Sequence, residues 1–315
     1  AGMAAQGLVP VAAIYSTFLQ RAYDQIVHDI AIEGLHVVLC VDRAGIVGAD
    51  GATHNGVLDI AFLRSIPGVK IFCPSDFAEL RVMLSRAIYR ETGPVAIRYP
   101  RGSEGAYRRE LSAQPLVCVH EQSGSEVTIV THGIMVNQAI DAAEILMHEG
   151  IRTQVYKVNE IGSGLEQAYA EVKEKLGSWC VVAEDVVPNG SVGEWLAAHR
   201  SERTDLLNTG DRFLPHGGVN ELYRHCGIDA EGIAAYYKDA ATVKVHALNE
   251  ALPENGLYSN AMAGTDRMEL YMTVNAAGDQ MMLVSVFDNL GKGSSGAAVQ
   301  CMNLMLGLEE TEGLE

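Results

Sequence analysis

The chain has 315 residues, 48% hydrophobic and 20% charged, which is enough apolar material for more than one core; two domains are the natural expectation at this length. Forty acidic against 23 basic residues give a formal charge of −17, and no stretch is rich in Lys and Arg. That balance argues against a nucleic-acid or anionic-membrane surface but leaves room for a local arginine cluster that binds one phosphate.

Residues 8–102 alternate apolar runs with amphipathic segments. Strands are expected at 9–15, 36–41, 69–73 and 95–99, short and β-branched with apolar residues on both faces, as buried parallel strands require. Helices are expected at 17–33, 56–65 and 76–90; in the last, Phe77, Leu80, Met83, Leu84 and Ile88 recur at helical spacing behind a capping Ser75 or Asp76. A polar, irregular segment at 103–125, with a short strand at 116–120, reads as a linker.

A second α/β series follows. Strands are expected at 126–131, 153–158, 179–184 and 204–208, and helices at 136–148, 164–176, 192–199, 219–226 and 230–241. The βαβ order implies mainly parallel sheets covered by helices. The texture changes after about residue 242. Strands are expected there at 244–249, 268–275 and 280–288, with a tight turn at 276–279, a Gly/Ser loop at 291–296 and a closing helix at 297–305, which makes a small α+β tail. No apolar run reaches the ~20 residues of a membrane span. Cys40, Cys73, Cys118, Cys180, Cys226 and Cys301 are scattered without a C-x-x-C pair, the pattern of buried reduced thiols in a cytoplasmic protein.

Arg43, Asp50 and His54 fall within twelve positions in a Gly-rich loop after a strand, where open α/β sheets bind ligands. Such a trio suits anion binding, acceptance of a hydroxyl proton and proton shuttling. Spacing alone favours a plainer arrangement, an internal Arg–Asp pair beside a solvent-exposed His. Arg98 and Arg101, three apart around a proline, read alone as a solvated pair; with Arg43 at a neighbouring strand end they suggest a phosphate pocket. Tyr15 and Phe18, at a strand-to-helix junction, are either core aromatics or an exposed platform for a planar ring. Glu184 and Asp185 read as loop and helix-capping residues, and His216 as structural. No H-E-x-x-H, Walker or G-x-S-x-G motif is present.

The runs VAAIYSTFLQRAYDQIVHD, DRAGIVGADGATHNGVLDIAFLRSIP, GPVAIRYPRG and GDRFLPHGGVNELYRHCGIDAEGI resemble the 1-deoxy-D-xylulose-5-phosphate synthase family of transketolase-like enzymes, in order, over residues 1 to about 240. The resemblance implies an α/β fold of two transketolase-type domains: a pyrimidine-binding domain at 1–102 and a C-terminal domain at 115–241. It implies thiamine diphosphate and Mg²⁺ as cofactors, with pyruvate and glyceraldehyde 3-phosphate as substrates and a homodimer as the assembly. By the same resemblance Phe18 stacks on the aminopyrimidine, Tyr15, Arg43 and Arg101 hold the substrate phosphate, Arg21 lines the substrate site, and Asp50 and His54 lie by the reacting centre.

Two family features fall outside this sequence: the glutamate of an E-Q-H-A segment and the N-terminal diphosphate domain with its G-D-G motif, where the Mg²⁺ ligands are expected. The chain opens as if mid-helix and without Met, so a plastid leader stays open beside a cytoplasmic location. The expectation is a chain inactive alone, completed by an N-terminal half or serving as an assembly module. Residues 243–315 resemble the end of N-acetyl-γ-glutamyl-phosphate reductase, an NADP-dependent enzyme. That family's glycine loop, catalytic Cys and catalytic His are not in the match, and Cys301 is not its nucleophile, so no reductase activity is expected and only loose docking of this tail.

Overall fold

The computed structural model describes residues 1–108, 112–125, 127–238, 243–245, 268–274 and 281–287. The chain divides into two compact units, Ala1–Ala234 and Ala235–Glu315.

The first unit opens with a short helix, α1 (Gly2–Ala5), and then builds a sheet from β1 (Val11–Tyr15), β2 (Val38–Asp42), β3 (Lys70–Phe72) and β4 (Val95–Arg98). The spatial order is β1-β2-β4-β3, all parallel. Val38, Val41, Val95 and Ile97 are fully buried, as continuous apolar runs in a central parallel strand must be. The expectation of burial on both faces fails for β1. It is an edge strand paired only with β2, and Val11–Ala13 are exposed.

Register carries the functional consequence. Tyr15 lies opposite Asp42, and Val41 opposite Arg98, so β1, β2 and β4 end together and deliver their following loops to one rim.

The helix expected at 17–33 is broken: α2 (Ser16–Leu19), a 3₁₀ turn at Gln20–Ala22, α3 (Tyr23–Gln25) and a π turn at Ile26–Ala31. Its apolar stripe survives the break, with Leu19, Ile26 and Ile30 buried. α4 (Asp59–Arg64) is shorter than expected because Gly56–Leu58 belong to the preceding loop. α5 (Phe77–Tyr89) starts where anticipated, the Asp76 carboxylate accepting from Glu79 N at 2.8 Å. Met83 and Ala87 are buried beneath it, whereas Phe77 at its exposed first turn faces water.

The second sheet has the order β10-β9-β6-β7-β5, formed by β5 (Leu116–Glu121), β6 (Val127–His132), β7 (Thr153–Val158), β9 (Trp179–Ala183) and β10 (Arg203–Leu207). Only β5 runs antiparallel within it. The helices are α6 (Val136–His148), α7 (Ser163–Val172), α8 (Val192–His199), α9 (Val219–Cys226) and α10 (Ala230–Lys238). A short β8 (Glu160–Ile161), which periodicity cannot reveal in two residues, crosses from the second sheet to pair antiparallel with β3 of the first.

One hydrophobic cluster runs through both sheets, joining Leu39, Ile60 and Ile71 to Val130, Val158 and Trp195. Two buried polar knots accompany it. Lys157 donates to Glu79 at 2.7 Å, and Ser75 holds the same carboxylate through its amide and hydroxyl. Arg98, expected in solvent, is 4% exposed. Its Nε meets Asp59 at 3.1 Å, and its Nη1 lies 3.1 Å from His132 and 3.3 Å from Asp185. Arg98 sits inside because it ends a strand whose every residue is buried, and two carboxylates compensate its charge there.

In the second unit β11 (Val243–Val245) runs parallel to β12 (Met268–Val274), which pairs antiparallel with β13 (Met281–Phe287). The rest of the strand expected at 244–249, the turn at 276–279, the loop at 291–296, the helix at 297–305 and Cys301 lie outside the described residues. Cys40, Cys73 and Cys180 are buried free thiols, and Cys118 and Cys226 are half-buried free thiols. No described helix is long and apolar enough to cross a membrane.

Two tests probe the knots. Arg98→Met leaves Asp59 and Asp185 buried without their cation, and an equilibrium urea titration should show a loss of about 3–5 kcal/mol; wild-type stability would contradict the assignment. Burial pushes the Glu79 carboxyl up, but Lys157 and Ser75 outweigh it and hold the group below its ordinary 4.5. Its contribution is therefore complete above that range and lost as pH falls through the folded-state value. Glu79→Gln should lower the midpoint at neutral pH and flatten the acid limb of stability against pH, and an unaltered acid limb would exclude this account.

Candidate active site

The loop at 43–58 leaves β2 and folds back against the ends of β1 and β4. Arg43 adopts φ +55°, the only left-handed non-glycine among the described residues, a conformation that costs about 1 kcal/mol or more. The Asp42 carboxylate accounts for it by gripping two parts of Arg43 at once: the backbone N–H at 2.8 Å and Nη1 at 3.0 Å. The guanidinium carbon then sits 3.8 Å from the centre of the Tyr15 ring, a close cation–π contact. Asn55 pins the loop from inside, its side-chain oxygen accepting from Val47 N and Gly48 N.

Apart from Arg98, the residues singled out from the sequence as candidates for this site fall into one contact chain. The Tyr15 and Phe18 rings stack with centroids 5.3 Å apart. Phe18 meets the His54 ring edge-on at 5.6 Å, and the Arg21 guanidinium lies 5.9 Å from the Phe18 centroid. Asp50 bridges two arginines: Arg101 donates to Oδ1 at 2.8 Å, and Arg43 Nε lies 3.5 Å from Oδ2. The internal Arg–Asp pair of the plainer reading is thus present. His54, however, is half-buried against Phe18 rather than free in solvent, with Nδ1 2.9 Å from the Thr53 hydroxyl. Arg98 and Arg101 part company, the first buried and the second with its side chain 44% exposed on the rim. Three arginines against Asp42 and Asp50 leave a local positive excess on a chain of formal charge −17, and Phe18 stays 40% exposed. The arrangement suits a flat ring stacked on Phe18 and a multivalent anion between Arg43 and Arg101.

Residues 1–105 match the family model for the transketolase pyrimidine-binding domain, and residues 117–233 that for the transketolase C-terminal domain. The chain belongs to the transketolase family. It is 42% identical to the 1-deoxy-D-xylulose-5-phosphate synthase of Chlorobium luteolum over 78% of its length, and 40% identical to that of Thermus thermophilus over 78%. It spans about 40% of the length of these curated relatives. Among solved structures it resembles a split-gene transketolase described as an inactive beta4 tetramer, with a TM-score of 0.65 and 25% identity over 76% of this chain and 78% of the other. It also shares its fold with the transketolase of Campylobacter jejuni, with a TM-score of 0.62 and 16% identity over 73% of this chain and 35% of that one.

The site loop leans on the second sheet. Gly45, at φ +75°, leaves no room for a Cβ beside the Asp185 carboxylate, and a Cβ on Gly48 would come 2.7 Å from Gly217 O. His216 is exposed and borders Gly51. Glu184 behaves as a capping residue, accepting from Val192 N at 3.0 Å and Gly193 N at 2.8 Å at the start of α8. Burial pushes its carboxyl up, but His132 at 3.1 Å and these two amides hold it below the ordinary carboxylate range. Asp59 goes the other way, raised by burial even beside Arg98.

Asp42, Thr53, Asp59, His132 and the ion-pairing role of Asp185 escape sequence reading. Asp42 alone left a signal, as the acidic residue immediately before Arg43.

Gly45→Ala must both adopt the left-handed conformation and displace Asp185. A loss of about 2 kcal/mol or more is expected by thermal melting, and a stability within experimental error of wild type would refute the packing described.

Proposed function

We propose that this chain forms the pyrimidine-side wall and the phosphate arm of a thiamine-diphosphate-dependent 1-deoxy-D-xylulose-5-phosphate synthase, which joins pyruvate to glyceraldehyde 3-phosphate with release of CO₂. The supporting observation is that Tyr15, Phe18, Arg21, Arg43, Asp50, His54 and Arg101, which the family resemblance assigns to cofactor, phosphate and reacting centre, make one continuous set of contacts. Their chemistry fits the cofactor independently: an exposed aromatic face for a heterocycle, and a buried Arg43 Nε with no hydrogen-bond partner.

When bound, the cofactor supplies the electron sink for decarboxylation of a 2-oxoacid and carries the two-carbon unit. Phe18 would orient its pyrimidine by stacking. Arg43, braced on Tyr15, and Arg101 would hold the aldehyde substrate by its phosphate, and Arg21, 5.9 Å from the Phe18 centroid, would line the substrate site. His54, with Nδ1 engaged by Thr53, offers Nε2 for moving a proton at the substrate oxygen. Asp50 borders the same space. As the family resemblance implies, Mg²⁺ and the diphosphate are assigned to a diphosphate-binding segment on the same or a separate polypeptide, within a dimeric assembly. The cytoplasm is the proposed location. Residues 243–315 are read as a reductase-derived fragment with no NADP chemistry; NADPH binding by the purified chain would contradict this.

The decisive experiment titrates thiamine diphosphate into the purified chain with and without the N-terminal domain of a curated relative, and assays product in the mixture. Cofactor binding and product are expected only in the mixture. Phe18→Ala should weaken cofactor affinity about tenfold. Arg101→Gln should raise the KM for glyceraldehyde 3-phosphate with little change in kcat. A mixture that assembles yet makes no product favours the non-catalytic assembly reading.

A further inference from the structure

Asp50 stands where an anion would. Its two oxygens each address a different arginine, Oδ1 at 2.8 Å from Arg101 Nη1 and Oδ2 at 3.5 Å from Arg43 Nε. This is the bridging geometry that two guanidinium forks offer a phosphate. The Arg43 side of the bridge is loose: Nε is buried and hydrogen-bonded to nothing. A phosphate oxygen would close to the usual charge-assisted distance of about 2.8 Å there.

Asp42 plays a different part. Its carboxylate grips the Arg43 backbone amide and Nη1, which fixes the arginine and leaves Nε for another acceptor. The two acids beside Arg43 therefore divide the work, one as clamp and one as occupant. Asp50 and Arg101 are partly exposed, at 30% and 44% of their side chains, so this bridge is weak enough to be exchanged.

We propose that Asp50 is a specificity-determining self-ligand: in the free protein its carboxylate fills the slot between Arg43 and Arg101 and must be displaced by the incoming phosphate. This rests on reading those two arginines as the phosphate arm. A tethered carboxylate acts at an effective concentration on the order of millimolar or above. A free monocarboxylate that replaces it exchanges one single charge for another and gains little. A phosphate dianion brings a second charge and more acceptor oxygens, so it displaces Asp50. The residue thereby keeps monoanionic 2-oxoacids off the arm and reserves it for a phosphorylated partner.

The test is calorimetric titration of the full chain with inorganic phosphate and with acetate at fixed ionic strength, after circular dichroism confirms folding of each variant. Wild type should bind phosphate and not acetate. Asp50→Asn and Asp50→Ser should bind phosphate about tenfold more tightly and acquire measurable acetate binding. Adding Arg101→Gln to either should abolish both gains. Asp42→Asn removes an equal charge beside the same arginine and should leave phosphate affinity unchanged or lower it. Phosphate binding that is equal in wild type and both Asp50 variants overturns the self-ligand while leaving the phosphate arm intact. Equal gains in Asp42→Asn and Asp50→Asn overturn it too, because charge alone would then suffice. No phosphate binding in wild type or in either Asp50 variant removes the arm itself.

Discussion

A buried guanidinium holds the first unit together. Arg98 ends the central strand β4 and reaches Asp59 at the head of α4, His132 at the end of β6 and Asp185 just beyond β9. Burial alone would lower its pKa, but the Asp59 and Asp185 carboxylates raise it instead. A replacement that removes the charge while leaving the acids therefore costs more than the loss of a side chain. The cluster also fixes direction. A planar fork shared among groups from two sheets permits few relative placements, where apolar packing across the same boundary permits more sliding. The shared hydrophobic cluster and the crossing strand β8 then fill a geometry that Arg98 specifies.

The site inherits its precision from that placement. Parallel register brings the ends of β1, β2 and β4 level, so Tyr15, Arg43 and Arg101 need no long loops to meet. The loop at 43–58 is then caught between its own clamp and the second sheet. Asp42 holds Arg43, Asn55 holds Val47 and Gly48, and Asp185 sits so close to Gly45 that only glycine fits. Asp185 therefore belongs to both layers of the design, as a partner of Arg98 and as a wall for the loop that carries Arg43. Strain in Arg43 and burial of Arg98 are thus mechanically adjacent.

Much of the fold was legible in the sequence, and what was not has physical causes. Segments such as Val136–His148, Thr153–Val158 and Val192–His199 read correctly to the residue, because apolar patterning and the flanking polar or turn residues mark both ends. The residues proposed for the site could be picked out because the motifs that carry them are long and ordered. Two of the misreadings concern residues whose environment is set by something distant in sequence. Arg98 looked solvated because nothing near it announces Asp185, 87 residues on. β1 looked buried because its composition matches a central strand and only topology places it at the edge. The broken winding after Ser16 left no mark, since the apolar stripe has helical spacing either way.

The left-handed Arg43 shows why such a site tolerates strain. An arginine free to relax would turn its guanidinium to the nearest water, and the arm would have to be ordered each time an anion arrived. Here the ordering is done in the fold. The Asp42 carboxylate and the Tyr15 ring hold the side chain, and its buried Nε has no hydrogen-bond partner. Two guanidinium groups held this way would repel each other with nothing between them, so a fold that presets them also needs an anion between them. Asp50 supplies that charge from within the same loop. On the proposed reading the preset arginines and the acid between them are one device: the Asp42 clamp makes the arm rigid, and the Asp50 carboxylate makes that rigidity stable in the absence of ligand.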